Sequence, residues 1–256
     1  MKNSRINKLV VALVVTVLAA IQGASFAAVI SWGSAQNITA ATDVVTNGVT
    51  ISAFQVGNGL PAATVNGVTF LTDTNAVAYG NNSGGYNSFA HGGQFVLGNA
   101  TLTPSGGQGN LYSGYNTSGQ SSGSGSAPFI SLSSGYQSIL SWDYFNFNPG
   151  AELVLTFDSL TVGHQYLVQL WSNDSRGYSS RSNTVDGVTT LLFASGGDGT
   201  LGQFATGTFT ANATTQVITL TGVGGASVVQ LNAFQLRDLT IPEPSTMFLM
   251  LCGGGL

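Results

Sequence analysis

The residues best equipped to bind a ligand lie in one short stretch after an apolar run. It combines aromatic, amide, carboxylate and guanidinium groups: Trp171, Asn173, Asp174, Arg176, Tyr178, Arg181 and Asn183. Arginine and aspartate hydrogen-bond sugar hydroxyls, and aromatic rings stack on the apolar face of a pyranose. The stretch therefore predicts a carbohydrate-binding loop. The alternative is structural: Trp171 continues the alternation of a strand into the core, and Asp174 pairs with Arg176 to stabilise the loop.

Catalytic patterns are weak. Gly119 to Gly123 match the G-x-S-x-G nucleophile elbow, but they lie inside a low-complexity Gly/Ser segment rather than between a strand and a helix. Six carboxylates remain as partners for a glycan-cleaving pair: Asp143, Glu152, Asp158, Asp174, Asp186 and Asp198. No spacing singles out two of them. The chain is therefore interpreted as a non-enzymatic protein, with glycan cleavage as the least favoured alternative.

Metal-binding patterns are also sparse. His91 and His164 are the only histidines, and Cys252 is the only cysteine. A zinc or copper centre normally uses more ligands of these types, so both histidines are interpreted as satisfied or solvated. Asp198, between glycines, is a weak candidate for a structural calcium ligand, and a plain turn is favoured. We expect no cofactor.

Charge excludes one class of partner. From Ala28 onward the chain has three arginines, no lysine and ten acidic residues, a formal net charge of −7. Nucleic-acid binding depends on basic side chains that neutralise phosphates, so no nucleic-acid partner is expected. With only 6% of residues charged, the surface must be largely hydroxyl, amide and glycine.

Short alternating runs separated by Gly, Asn and Ser predict an antiparallel β-sandwich. Asn66-Gly67 marks a tight hairpin, and residues 153–157 and 166–171 are predicted to form another hairpin around a turn at 159–165. Further strands are expected at 49–56, 189–193, 203–210, 216–220 and 228–239.

Two segments depart from this pattern. Tyr136, Ile139, Leu140 and Tyr144 have helical spacing, which predicts a short helix from about Gln137 to Tyr144. Residues 80–125 are rich in Gly, Ser and Asn, so they are predicted to form long loops.

The amino terminus has the features of a secretory signal peptide. Lys2, Arg5 and Lys8 precede an apolar run, and Ser25 and Ala27 place small residues at −3 and −1 of a cut between Ala27 and Ala28. We therefore expect residues 1–27 to be removed on export, leaving residues 28–240 as a single domain.

The carboxyl terminus, residues 241–256, contains Pro242-Glu243-Pro244 followed by an apolar run. It resembles the PEP-CTERM sorting signal of Gram-negative bacteria. The resemblance implies processing by an exosortase, transient membrane contact through this segment, and a final place at the cell surface or in the extracellular matrix. In that family the signal also has a membrane-spanning helix of about 20 apolar residues and an Arg-rich end. Here the apolar run is too short for such a helix, and no Arg-rich end follows it. We expect the printed chain to be truncated.

Residues 160–171 and 231–236 resemble, in pattern, the galactose-binding-like and malectin-like jelly-roll domains. That resemblance implies sugar binding in end loops or on a concave sheet face. We therefore expect an exported, non-enzymatic surface or matrix protein that associates with exopolysaccharide. The alternative is a purely structural surface protein that assembles through its loops and sheet edges.

Overall fold

A computed structural model describes residues 27–55, 61–72, 89–90, 94–107, 112–115, 126–223 and 228–240. The apolar part of the signal peptide, the Pro242–Pro244 motif, His91 and the Gly119–Gly123 match lie outside the described residues. Ala27 and Ala28, on either side of the predicted cut, begin the described chain. No helix in the described part is long and apolar enough to cross a bilayer.

The fold is an all-β sandwich with three sheets. The eight-stranded sheet has the spatial order β1 (Ser31–Trp32), β15 (Gln203–Thr210), β12 (Gln165–Ser172), β18 (Ala233–Asp238), β3 (Val49–Gln55), β5 (Val68–Thr72) and β4 (Ala63–Val65), with β2 (Gln36–Asn37) also on β15. The six-stranded sheet has the order β14 (Thr189–Leu192), β13 (Ser182–Val185), β16 (Gln216–Val223), β11 (Glu152–Phe157), β8 (Ala100–Ser105) and β7 (Phe95–Leu97). A four-stranded sheet contains β17 (Val229–Leu231), β10 (Trp142–Asn146), β9 (Tyr112–Tyr115) and β6 (Phe89–Ala90).

The main core lies between the two large sheets. Along β11, Leu153, Leu155 and Phe157 alternate inward and are fully buried. They meet Val168 and Leu170 of β12 in one cluster. This period-2 burial is what the sequence pattern predicts for a strand with one face on the core.

A second core covers the other face of the eight-stranded sheet. The helix α1 (Ser134–Leu140), the β4–β5 hairpin and the 3₁₀ turn Phe129–Ser131 pack there. Because layers lie on both sides, every residue of β12 after Gln165 is buried. A 3₁₀ turn at Ala41–Asp43 completes the same layer, where Asp43 accepts a hydrogen bond from Tyr136 Oη at 3.1 Å.

The Asn66-Gly67 hairpin is confirmed, since these residues form the turn between β4 and β5 with φ values of 49° and 78°. A tight turn of this kind needs positive φ at both central residues. The strands predicted near residues 49, 189, 203 and 216 are also present. The run 228–239 is divided at Asn232 into β17 and β18, which belong to different sheets.

The predicted 153–171 hairpin is wrong. β11 pairs with β8 and β16, whereas β12 pairs with β15 and β18. The connection between them crosses from one sheet to the other, and Leu160 is buried on the way. The chain also changes sheet from β12 to β13, from β14 to β15 and from β15 to β16, an alternation typical of jelly rolls.

Two further predictions need correction. The helix ends at Leu140, and Tyr144 belongs to strand β10 instead. The Gly-rich segment 80–125 is not only loop, because β7 and β8 form a hairpin whose Phe95, Leu97 and Leu102 are buried. A few apolar residues at alternate positions are sufficient to form this hairpin, because a neighbouring strand supplies the rest of the surface that buries them.

Candidate functional site

Trp171 lies in the second core rather than at the surface. Its ring is fully buried, edge-on to Phe70 at 5.6 Å between centroids, and its Nε1 donates to Tyr136 Oη at 3.1 Å. No face of the indole is open to a ligand. This burial removes Trp171 from the candidate ligand-binding residues, and the structural alternative applies to it.

Asn173 is part of a buried amide network at one end of the sandwich. Its backbone N–H donates to Asn232 Oδ1 at 2.7 Å, and its own Oδ1 accepts from the N–H of Gly202 at 2.9 Å. Asn232 Nδ2 in turn donates to the carbonyl of Trp142 at 2.9 Å. Buried amides that use several hydrogen bonds in this way are structural. The network fixes the chain at the point where β12 ends.

Asp174 is fully buried beneath two arginines. Arg176 donates to it with Nε and Nη2, at 2.8 and 2.7 Å, and Arg181 donates with Nη1 at 3.4 Å. The arginine side chains remain 19% and 23% exposed. Asp174 therefore positions the two guanidinium groups and is not itself available for ligand contact.

Tyr178 holds the same two arginines from another side. The guanidinium carbon of Arg181 lies 3.8 Å from the ring centroid, and that of Arg176 lies 5.1 Å away. Cation–π contacts of this length are favourable. The structure thus brings Arg176, Tyr178 and Arg181 together at a half-buried position.

Asp143 belongs to the same cluster. It lies on β10, is 3% exposed, and its Oδ1 has no hydrogen-bond partner among the described residues. Burial raises the pKa of Asp143 to about 8; Arg176 and Arg181 oppose this rise and Asp174 adds to it. The carboxyl is therefore neutral at pH 7. In the sequence it was one acid among six, and nothing there distinguished it.

Sequence reasoning missed a groove of about 480 Å³ along the outer edge of β3. Ile51, Phe54 and Leu71 line it with apolar surface, and Asn99 and Ser159 add polar groups. β5 pairs with β3 only at Phe54 and Gln55. From Val49 to Ala53, the outer edge of β3 thus has no partner strand in the described chain.

A β-bulge shapes this edge. Leu236 pairs with Ser52 and Arg237 pairs with Thr50, so Ile51 is an extra residue in β3. The bulge reverses the expected alternation: Ile51 is 41% exposed, while Ser52 is buried and donates to Asn99 Oδ1. A strict period-2 pattern does not predict a buried serine next to an exposed isoleucine. The sequence therefore did not predict the groove.

The remaining candidates have structural partners. His164 Nδ1 lies 2.7 Å from Asp238 Oδ2, in agreement with the prediction of a satisfied histidine. Asp198 accepts a hydrogen bond from Ser126 Oγ at 3.0 Å. Within the described residues, no group of three His, Cys, Asp or Glu side chains is placed to hold a metal ion.

Comparison with protein-family models, with curated proteins and with solved structures gives no match to this chain. The features of this chain that bear on its function are the geometry of the β3 groove, the arginine cluster and the export features of the sequence.

Proposed function

We propose that this protein is an exported, non-enzymatic β-sandwich of the cell surface or extracellular matrix that associates with polysaccharide. An exosortase-type enzyme processes its Pro242–Pro244 tail, and neutral sugar units bind in the groove beside β3. The single observation that supports the binding role is this groove, because it is open and its described lining residues carry no charged side chain.

The chemistry of the groove matches a sugar ring. A pyranose has an apolar face and a rim of hydroxyl groups. Ile51 and Leu71 are 41% and 50% exposed and provide apolar contact, and Phe54 adds to the apolar lining. Asn99 and Ser159 provide hydrogen-bonding groups. Its volume lies within the range of ligand-binding clefts, about 300 to 1,000 Å³.

The edge of β3 beside the groove also helps to distinguish sugar binding from the alternative of assembly through sheet edges. An unpaired, regular sheet edge readily accepts a strand from another molecule, and a β-bulge is one way in which proteins prevent this. The bulge at Ile51 interrupts the free part of β3. At the opposite edge, Trp32 Nε1 donates to Asp186 Oδ2 at 2.8 Å and ties β1 to the other sheet. These features favour a small bound unit over an added strand.

The glycan-cleaving alternative is not favoured either. Asp143 and Asp174 are the acids that the fold brings close to each other, but their exposures are 3% and 0%. A general acid and its partner must reach the substrate within hydrogen-bonding distance. Neither carboxyl group does so in this arrangement.

Introducing a charge into the groove tests the proposal. We expect Leu71→Glu to weaken binding to a neutral polysaccharide about tenfold or more, because the carboxylate loses water without gaining a partner. Affinity gel electrophoresis of the exported chain in dextran, galactomannan and xyloglucan gels measures this.

Val96→Glu is the matched control. Val96 is 54% exposed on β7, outside the groove lining, so the polysaccharide should retard this variant as much as it retards the unmodified chain, each compared with its own mobility in a gel without polysaccharide. Equal retardation of both variants would refute the groove as the site. Concentration-dependent oligomers with no retardation in any gel would instead support the assembly alternative.

A further inference from the structure

We propose that Arg176 and Arg181 form a second binding site, which takes the carboxylate or sulfate group of an acidic polysaccharide. The site is separate from the β3 groove and would contribute charge selectivity to the proposed polysaccharide association. Three features support this site: unused hydrogen-bond donors, a local positive charge and a surrounding chain that holds the arginines in place.

The two guanidinium groups have more donors than Asp174 can use. Arg176 donates with Nε and Nη2, and Arg181 donates with Nη1 alone. Within the described residues, Arg176 Nη1 and Arg181 Nη2 have no acceptor. Both side chains remain partly exposed. Planar guanidinium groups bind carboxylate and sulfate through two parallel hydrogen bonds, which makes such free donors a suitable anion contact.

The local charge is positive in an otherwise acidic protein. Two arginines contact the single carboxylate of Asp174, and burial favours the neutral form of the nearby Asp143 at pH 7. From Ala28 onward the only other basic side chain is Arg237. That residue is 4% exposed and donates to the backbone carbonyl of Asn47. An acidic polymer therefore meets attraction at the Arg176–Arg181 site and repulsion over most of the remaining surface.

The surrounding chain holds the arginines in place before any ligand arrives. Tyr178 stacks on Arg181, and the Asn173–Asn232 hydrogen bond anchors the start of the loop. Gly177 has φ of 86°, and a Cβ there would lie 2.8 Å from the carbonyl carbon of Gly197. Only glycine permits this close approach. A preorganised site loses little conformational entropy on binding.

The same geometry predicts a pH limit. Asp143 faces Asp174, Arg176 and Arg181. When the pH rises through about 8, Asp143 ionises, and its negative charge cancels the excess positive charge at the site. Binding of an acidic polymer should therefore weaken between pH 7 and pH 9.

The test compares polygalacturonate, dextran sulfate and dextran, which carry carboxylate, sulfate and no charge respectively. We expect Arg181→Gln to weaken binding of the exported chain to the acidic polymers about tenfold and to leave dextran binding unchanged. Arg181→Lys, which keeps the charge but not the planar fork, should recover only part of the loss. The relative response to polygalacturonate and dextran sulfate identifies which anionic group fits.

The pH arm is measured only where both chains are folded at pH 9, because Asp143→Asn is also expected to be the more stable protein there. Asp143→Asn should retain polygalacturonate binding at pH 9, where the unmodified chain loses it. The proposal is overturned if Arg181→Gln binds polygalacturonate as tightly as the unmodified chain, or if Asp143→Asn shows the same loss at pH 9. Retained dextran binding with no polygalacturonate binding would overturn this site alone, whereas the reverse would overturn only the β3 groove.

Discussion

Asp143→Asn is expected to stabilise the folded protein by several kcal/mol at pH 9 and to change its stability little at pH 4. Asp143 is almost fully buried and its Oδ1 has no hydrogen-bond partner among the described residues, so the attraction of Arg176 and Arg181 offsets only part of the cost of desolvating the ionised carboxylate. Asparagine has nearly the same shape and carries no charge. The variant therefore removes only the cost of ionisation.

The direction of the pH dependence follows from proton linkage. The pKa of Asp143 rises from 3.8 to about 8 in the folded state. Between these values the folded chain binds more protons than the unfolded chain, so this carboxyl makes the protein less stable as the pH rises. Each pH unit in the interval corresponds to about 1.4 kcal/mol for one group. Below pH 4 both states are protonated and the difference disappears.

Urea unfolding of the exported chain at pH 4, 7 and 9 measures this effect. Asp158→Asn, which removes a half-buried carboxylate just after β11, is the matched control for the loss of one aspartate. A constant free-energy difference between Asp143→Asn and the unmodified chain from pH 4 to pH 9 would contradict the assignment of Asp143 as a buried neutral acid.

Trp171→Ala is expected to lower the free energy of unfolding by about 3 to 5 kcal/mol, as deletion of a large buried aromatic does. The substitution empties the centre of the second core, beside Phe70, and leaves Tyr136 Oη without the indole N–H. Because the ring is fully buried, the loss should appear in stability and not in ligand contact.

Thermal and urea unfolding test this prediction, with Trp32→Ala as the comparison. Trp32 is half-buried at the edge of the first core and donates one hydrogen bond to Asp186, so its removal should cost less. Polysaccharide binding by Trp171→Ala, measured where the variant is still folded, should match that of the unmodified chain. A stable Trp171→Ala protein that has lost binding would place the indole at the ligand instead.

The predicted loop divides into a support and a contact surface. Asn173 and Asp174 lie beneath, each fully buried, while Arg176, Tyr178 and Arg181 keep partial exposure. These charged and aromatic side chains lie close together in sequence after a strand, so they must share one loop. Residue type alone does not say which members face inward, since that depends on what packs against the loop.

The sequence by itself determined the all-β class, most strand positions and the Asn66-Gly67 turn, because these depend on side-chain alternation and local φ preferences. Its two ends also carry the predicted export and sorting features. Strand pairing was decided only by the tertiary structure: β11 and β12 are neighbours in sequence but lie in different sheets. The alternation of side chains shows that a strand has two faces, but it does not show which other elements pack against each face.

Local sequence patterns fail in the same way to show which residues line the two proposed binding sites. Trp171 became a core residue because α1 and the β4–β5 hairpin cover the second face of its sheet. Asp143 became a buried neutral acid, and Ile51 an exposed groove residue, through contacts with chain segments far away in sequence. Burial and charge depend on such long-range packing, so the proposed binding surfaces are properties of the folded molecule.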